Sequence, residues 1–304
     1  MRRFFVFTII LIVSLTFAIE ASDKIIIIHT NDIHGRLLET EETVGMAKLA
    51  TLVQEYRNEY KHVLLLDGGD TIHGLPIVNT VKGESAISIM NAVGYDAMVP
   101  GNHDFNFGWA RLKELAEDYG FTILASNLFD KGKLVFPAFK IIELGPYKVG
   151  IFGLVTPDTK STTNPRNIRG LDIGDLNEAA KEAVDYLKTQ DVDLIIALGH
   201  VGKEKGYTSI QVIDAVDGID VFVDGHSHEK LENGFKHKNT LIVQANEYMK
   251  YVGVVHVEMG GETPVAEAYL LPAEEVKERY VEDEEILELL EKADKEWVEI
   301  QFGK

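Results

Sequence analysis

The sequence predicts an α/β fold, and three observations carry that prediction. Short runs rich in Ile, Val and Leu alternate along the chain with stretches whose apolar residues recur at helical spacing. The runs are nearly continuous, as strands buried on both faces of a parallel sheet require. Of 304 residues, 45% are hydrophobic and 26% charged, with 26 Gly and 8 Pro, so a sizeable core is available and a fibre or linker is excluded.

The elements follow in chain order. Arg2 and Arg3 precede a charge-free run, Phe4–Ile19, with small residues at Ala18 and Ala21. Residues 1–21 therefore read as a secretory signal peptide, and the protein as exported, periplasmic or extracellular. The run is shorter than the roughly 18–20 residues of a spanning helix, so no stable membrane anchor is expected. Buried strands are predicted at Lys24–His29, Val63–Leu66, Val149–Val155, Leu194–Leu198 and Val221–Val223. One helical face each is formed by Met46, Leu49, Val53 and Tyr56, by Leu112, Leu115 and Tyr119, and by Ala180, Val184 and Leu187, with Asn177 as N-cap of the last. Leu241–Ala245 and Tyr251–Met259 alternate in polarity and read as antiparallel strands.

From Glu274 to Glu299 twelve acidic residues face four basic ones, with Ile286, Leu287, Leu290 and Trp297 at helical spacing. The simplest expectation is a solvated acidic helix leaving the domain; a helix that docks a partner is the alternative. The chain thus divides into the leader 1–21, one domain over 22–272 and a tail over 273–304.

Composition also excludes functions. With 30 Lys+Arg against 49 Asp+Glu, a formal net charge of −19, a surface for polymeric nucleic acid is not expected. The absence of cysteine removes disulfides, thiolate metal sites and cysteine nucleophiles.

The ionisable residues cluster where strands end. The predicted strands lead into Asn31-Asp32-Ile33-His34-Gly35, Asp67-Gly68-Gly69-Asp70, His200 and His226-Ser227-His228, and Met98-Val99-Pro100 leads into Gly101-Asn102-His103-Asp104. Sites in α/β sheets assemble at the carboxyl ends of strands, so five such loops can converge. Taken singly, each has a structural reading: Asp-x-His as a turn, Asp-Gly-Gly-Asp as a glycine-dependent turn, His200 as a packed histidine. The conjunction points to a metal site. Oxygen and imidazole donors without thiolate suit Mn²⁺, Fe or Zn²⁺.

HTNDIHG (29–35), DGGD (67–70), GNHDF (101–105), LGHVG (198–202) and DGHSH (224–228) resemble, in order, the signature blocks of the calcineurin-like metallophosphoesterases, most closely the secreted 5′-nucleotidase branch. The likeness continues through GLVTPDTKSTTNP (153–165) and VQANEYMKYVG (243–253). It implies a four-layer α/β/β/α sandwich carrying two divalent metal ions (Mn²⁺, Zn²⁺, Fe or Co²⁺). By motif match Asp32, His34 and His228 would hold the first, and Asn102, His200 and His226 the second, with Asp70 bridging. Two such ions exceed the charge of Asp32 and Asp70, so an anionic phosphate ester remains attractive despite the acidic total, which salt screens beyond roughly 8–10 Å.

The resemblance makes His103 the general acid on the leaving oxygen, with metal-activated hydroxide attacking phosphorus. The family usually places an Asp three residues later to orient this His; here Asn106 stands there. An amide accepts a hydrogen bond but brings no charge, so an activity optimum shifted toward acid is expected. His29 and Asn31 are read as supports behind the ligands, Asp67 as a turn partner and His73 as a surface residue. Arg166 and Arg169 lie in a polar loop, read as solvated; no residue is assigned to substrate binding. Relatives typically carry a further C-terminal domain for the nucleobase, whose role a separately encoded partner domain could fill. The expected substrate is a small phosphomonoester, nucleotide-like. The alternatives are a 2′,3′-cyclic-nucleotide phosphodiesterase, a UDP-sugar hydrolase, or a non-catalytic metal- or partner-binding relative.

Overall fold

The computed structural model describes residues 24–204, 206–261 and 263–303; the signal-peptide reading of residues 1–21 lies outside them. In chain order the elements are β1 (Lys24–Thr30), α1 (Met46–Glu59), β2 (Val63–Asp67), α2 (Pro76–Asn79), α3 (Glu84–Val93), β3 (Ala97–Met98), α4 (Trp109–Tyr119), β4 (Leu128–Asp130), β5 (Lys133–Leu134), β6 (Phe139–Leu144), β7 (Tyr147–Val155) and α5 (Thr159–Thr162). There follow β8 (Leu171–Ile173), α6 (Leu176–Lys188), β9 (Leu194–His200), α7 (Ser209–Ala215), β10 (Val221–Val223), β11 (Phe235–His237), β12 (Thr240–Val243), β13 (Tyr251–Glu258), β14 (Val265–Pro272), α8 (Ala273–Arg279) and α9 (Glu284–Phe302).

The strands form two main sheets, ordered β14-β13-β1-β2-β3 and β11-β12-β10-β9-β7-β6, with a small β5-β4-β8 sheet at the side. Alternation along the second sheet explains the layering. Val149, Ile151, Ile196, Leu198, Val221 and Val223 turn inward and share one core with Ile25–Ile28 of the first sheet. Their neighbours Phe152, Leu154, Ile195, Ala197 and Phe222 turn outward onto Ala180, Val184 and Leu187 of α6 and Val212 of α7. Helices α1, α3 and α9 join the core of the first sheet through Leu49, Ile87 and Leu290. The four-layer α/β/β/α order expected from the sequence is the architecture of this chain.

Parallel pairing positions the loops. β1, β2 and β3 run parallel, as do β7, β9, β10 and β12. The carboxyl ends of β1, β2 and β3, and those of β9 and β10, therefore open at one edge of each sheet, where the ionisable residues lie.

The antiparallel reading holds for Tyr251–Met259, since β13 pairs antiparallel with both β1 and β14. It holds only in part for Leu241–Ala245: β12, fully buried, is antiparallel to β11 but parallel to β10. Two other expectations are corrected. The N-cap of α6 is Asp175, two residues earlier than Asn177, accepting from the amides of Asn177 and Glu178 at 2.8 and 3.0 Å. Leu176, buried between them, already belongs to the apolar stripe.

The acidic C-terminal segment does not leave the domain. It forms two helices, and α9 packs back against α1, α2 and α3 through Ile286, Leu290 and Ala293, while its carboxylates face solvent. Leu290 is 2% exposed in the shared core. Leu290→Ala should then cost the whole domain about 2–4 kcal/mol in urea unfolding. An unchanged midpoint would mean that α9 is not part of the cooperative unit.

Candidate metal centre

Five loops reach one pocket, and their backbone is held in an unusual conformation. Asp32, His34, Asp70, His226 and His228 have φ of 52°, 49°, 58°, 76° and 55°, the left-handed region that L-residues seldom adopt. Such strain persists only where surrounding bonds over-determine it. Here the amide of Asp32 donates to the carbonyl of Gly69 and that of His34 to the carbonyl of Asp70, each at 2.8 Å. The glycine expected to turn the Asp67–Asp70 loop does so: Gly69 has φ of 90°, and a Cβ there would stand 2.6 Å from the amide of Gly101.

Buried carboxylates clasp the loops. Asp104 accepts the amides of Asp70, Thr71, Ile72 and Gly101 at 2.7–3.0 Å. Asp224 likewise takes the amides of Val201, Gly202 and Gly225. Asp67 accepts from Thr30, Thr71 and the amide of Gly69. Asn31 supports the site, donating to Asp32 Oδ2 at 2.7 Å and accepting the amide of Ala245. His29 does not: its ring lies against Gly253, both nitrogens are unpartnered, and burial drives its pKa down to about 3.

At the centre, the potential donor atoms of Asp32, His34 and His228 lie within 4.8 Å of one another, and so do those of Asp32, Asp70 and His200. Asp32 is common to both groups, whereas the family resemblance implied bridging by Asp70 alone. Asp70 Oδ2 nevertheless also reaches both histidines, 3.3 Å from His200 Nε2 and 4.0 Å from His34 Nε2. The ring of His226 lies 5.0 Å from that of His200, and its amide donates to Asp32 Oδ2 at 3.0 Å. Asn102 precedes His103, whose amide donates to Asp70 Oδ1 at 2.7 Å. Five of the seven sequence-predicted ligand positions thus share these two groups, with His226 beside His200 and Asn102 next to His103 in the chain.

Three imidazoles are oriented through their far nitrogens. His200 Nδ1 lies 2.7 Å from the carbonyl of Gly68, His228 Nδ1 2.7 Å from Glu247 Oε2, and His34 Nδ1 3.2 Å from His73 Nε2. Each Nε2 faces the carboxylates, the arrangement a metal-ligating histidine adopts. Asn102 Oδ1 is buried without a hydrogen-bond partner. An unsatisfied buried acceptor of this kind calls for a cation, and the oxygen and imidazole donor set fits two divalent ions.

The electrostatics agree. Burial opposes charge on both His200 and Asp70, but each favours the charged form of its neighbour, holding His200 up at about 10 and Asp70 below the usual carboxylate range. Burial and then the charge of His200 pull His226 down to about 4.

Sequence reasoning missed His73, Glu247 and Tyr248. His73 is half-buried rather than a surface residue, its ring 4.4 Å from His103. Burial, followed by the neighbouring rings of His103 and His34, takes it down to about 4. Its nearness to Asp70 in sequence was the available signal; Glu247 and Tyr248 gave none. Asn106 Nδ2 stands 3.3 Å from His103 Nδ1, the position expected for the residue that orients this ring. Arg166 and Arg169 are exposed, as expected. Their loop still braces the site, because Thr163 donates to the carbonyl of Asn102 at 2.6 Å and Asn167 to that of Asn106 at 2.7 Å.

Burial raises Asp67 from 3.8 to about 8. The folded chain then holds a proton that the unfolded chain releases, so this contribution to stability is full below about pH 4 and is lost as pH rises through 8. Asp67→Asn should therefore show a smaller loss of stability between pH 5 and pH 8 than the unsubstituted protein in metal-free urea titrations. Equal losses would exclude a proton on Asp67.

The calcineurin-like phosphoesterase family model matches residues 25–230. Bovine (Bos taurus) 5′-nucleotidase is 36% identical over 264 residues, covering 81% of this chain and 44% of the relative. The 5′-nucleotidase of Vibrio vulnificus is 33% identical over 290 residues, covering 84% and 52%. The chain spans about half the length of these curated relatives. Among solved structures, a 5′-nucleotidase precursor from Thermus thermophilus is similar with a TM-score of 0.75 at 27% identity, over 90% of this chain and 59% of that one. The calcineurin-like phosphoesterase YfkN from Bacillus subtilis shares the fold, with a TM-score of 0.78 at 23% identity over 92% and 99%. With the family match extending over more than half of its length and the ligand-bearing loops assembled at one edge, the chain belongs to the calcineurin-like phosphoesterases, a family of dimetal-dependent phosphoester hydrolases.

Proposed function

We propose that this protein is an exported phosphohydrolase that cleaves phosphomonoesters of nucleotides or similar small molecules. The observation that carries the reading is the set of three imidazoles pinned through Nδ1, their Nε2 atoms converging on Asp32 and Asp70. Asp32, His34 and His228 would hold one ion and Asn102, His200 and His226 the other, with Asp70 shared by both. Ions bound there supply Lewis-acid activation of water and of the phosphoryl oxygens.

The chain's own residues do the rest. His103 protonates the leaving oxygen through Nε2, its ring 5.5 Å from that of His34. Its amide, bonded to Asp70 Oδ1, fixes the ring's position relative to that carboxylate. Asn106 donates to Nδ1, which keeps the proton of the neutral ring on Nε2, facing the substrate. An Asp at this position would accept from Nδ1–H instead and favour the imidazolium. Asn167 donates to the backbone carbonyl of Asn106 and so steadies the main chain that carries this amide.

Nucleotide-like substrates are supported by the named 5′-nucleotidase relatives, which include snake venom enzymes. Export is supported by the charged start and apolar run of residues 1–21, and by the venom relatives. Among the described residues no helix is long and apolar enough to cross a membrane.

The test is metal-dependent release of p-nitrophenol from the monoester compared with the bis-ester, with Mn²⁺, Co²⁺ or Zn²⁺ added. Faster monoester cleavage, abolished by EDTA and lowered by about 10²–10⁴-fold in His103→Ala, is expected. Preference for the bis-ester would favour a phosphodiesterase, and no release from either would favour a metal-binding relative without catalysis. A separate expectation concerns Asn106→Asp, which should raise turnover at pH 8 relative to pH 6. An unchanged pH–rate profile would remove the role given to the amide.

A further inference from the structure

Arg36 occupies a position that the chemistry above does not use. Its guanidinium carbon lies 3.5 Å above the ring of Tyr248, and Nη1 donates to the carbonyl of His34 at 2.9 Å. The Tyr248 ring in turn meets the rings of His34 and His228 edge-on, with centroids 5.5 and 6.2 Å away. One stacked pair therefore sets a cation beside two of the proposed metal ligands.

This cation has no carboxylate partner among the described residues, although the chain carries 49 acidic side chains. Nearby acids are already engaged. Glu39 pairs with Lys48 at 2.9 Å, and Glu247 with His228 at 2.7 Å and Lys250 at 2.9 Å. Backbone strain accompanies the arrangement: Asn246, Tyr248 and Met249 have φ of 63°, 62° and 57°. A half-buried guanidinium held against an aromatic ring has restricted freedom, and its remaining N–H groups form a planar fork suited to two oxygens of one anion.

We propose that Arg36, braced by Tyr248, is a substrate-binding residue that takes phosphate oxygens lying outside the metal pair. The inference rests on the phosphohydrolase reading and adds to it an anion subsite supplied by the loop after β1. Stacking matters because it removes the rotamer freedom a free arginine would lose on binding. Lysine at this position keeps the charge but loses the planar fork.

The experiment compares Arg36→Gln, Arg36→Lys and Tyr248→Leu with the unsubstituted protein. It reads KM and kcat for p-nitrophenyl phosphate, AMP and ADP, inhibition by inorganic phosphate, and thermal midpoint. Calorimetric titration of inorganic phosphate into the metal-loaded protein provides a readout independent of turnover. Arg36→Gln should raise KM and weaken phosphate binding by tenfold or more while lowering kcat less than threefold. Arg36→Lys should recover only part of the loss, and Tyr248→Leu should fall between. Equal rises for all three substrates assign Arg36 to the scissile phosphate, and a rise confined to ADP assigns it to the distal one. Unchanged KM and phosphate affinity, with or without a lower thermal midpoint, would overturn the inference and leave Arg36 as a brace for the His34 carbonyl. If the unsubstituted protein hydrolyses none of these esters with metal added, the failure belongs to the phosphohydrolase reading instead.

Discussion

Two buried carboxylates, Asp32 and Asp70, share one small volume with four imidazoles, and the rest of the structure serves that concentration of donors. Placing these groups in a water-poor pocket without positive charge is costly, because desolvation penalises each anion and their mutual repulsion is poorly screened. His200 offsets part of this by carrying a proton beside Asp70. Metal binding would displace that proton and supply more charge in its place, so uptake of ions and loss of protons are coupled. The same coupling explains how an acidic protein can handle anionic esters. Its surface charge is diffuse, whereas the centre, once loaded, is compact and positive at contact distance.

The scaffold that enforces this crowding is built from carboxylates of a different kind. Asp104, Asp224 and Asp67 spend their oxygens on backbone amides and hydroxyls rather than on the centre. They tie loops from separate strands into one rigid edge, so that residues with φ near 50–76° stay in a conformation that would otherwise relax. The clasps act between neighbouring strands of a sheet: Asp104 reaches from the loop after β3 to the loop after β2, and Asp224 from the end of β10 to the loop after β9.

Much of this was legible in the residues themselves. Continuous runs such as IIII (25–28) and VLLL (63–66) announce strands buried on both faces, and a ligand residue directly after each strand places it at the carboxyl edge of the sheet. Asn106 was visible as the partner of His103 through the family resemblance, which puts the orienting residue three positions after that histidine. What escaped were features set by tertiary contact. The direction of β12 depends on which sheet it joins, and its sequence is apolar enough for either. The acidic segment bears an apolar stripe on a charged background, and the stripe, not the net charge, decides that α9 returns to the core. His29 sits in the same block as the ligand Asp32, yet alternation along β1 sends its ring to Gly253 rather than to the centre. Arg36, Glu247 and Tyr248 meet only in the folded chain, from loops more than 200 residues apart.

The central claim is that these loops form one cage for a pair of cations. Anomalous diffraction from crystals grown with Mn²⁺ or Zn²⁺ addresses it most directly. The account predicts two peaks about 3.5–4 Å apart, one beside His34 and His228 and the other beside His200 and His226, with Asp70 between them. A single peak, or ions bound away from Asp32 and Asp70, would contradict it.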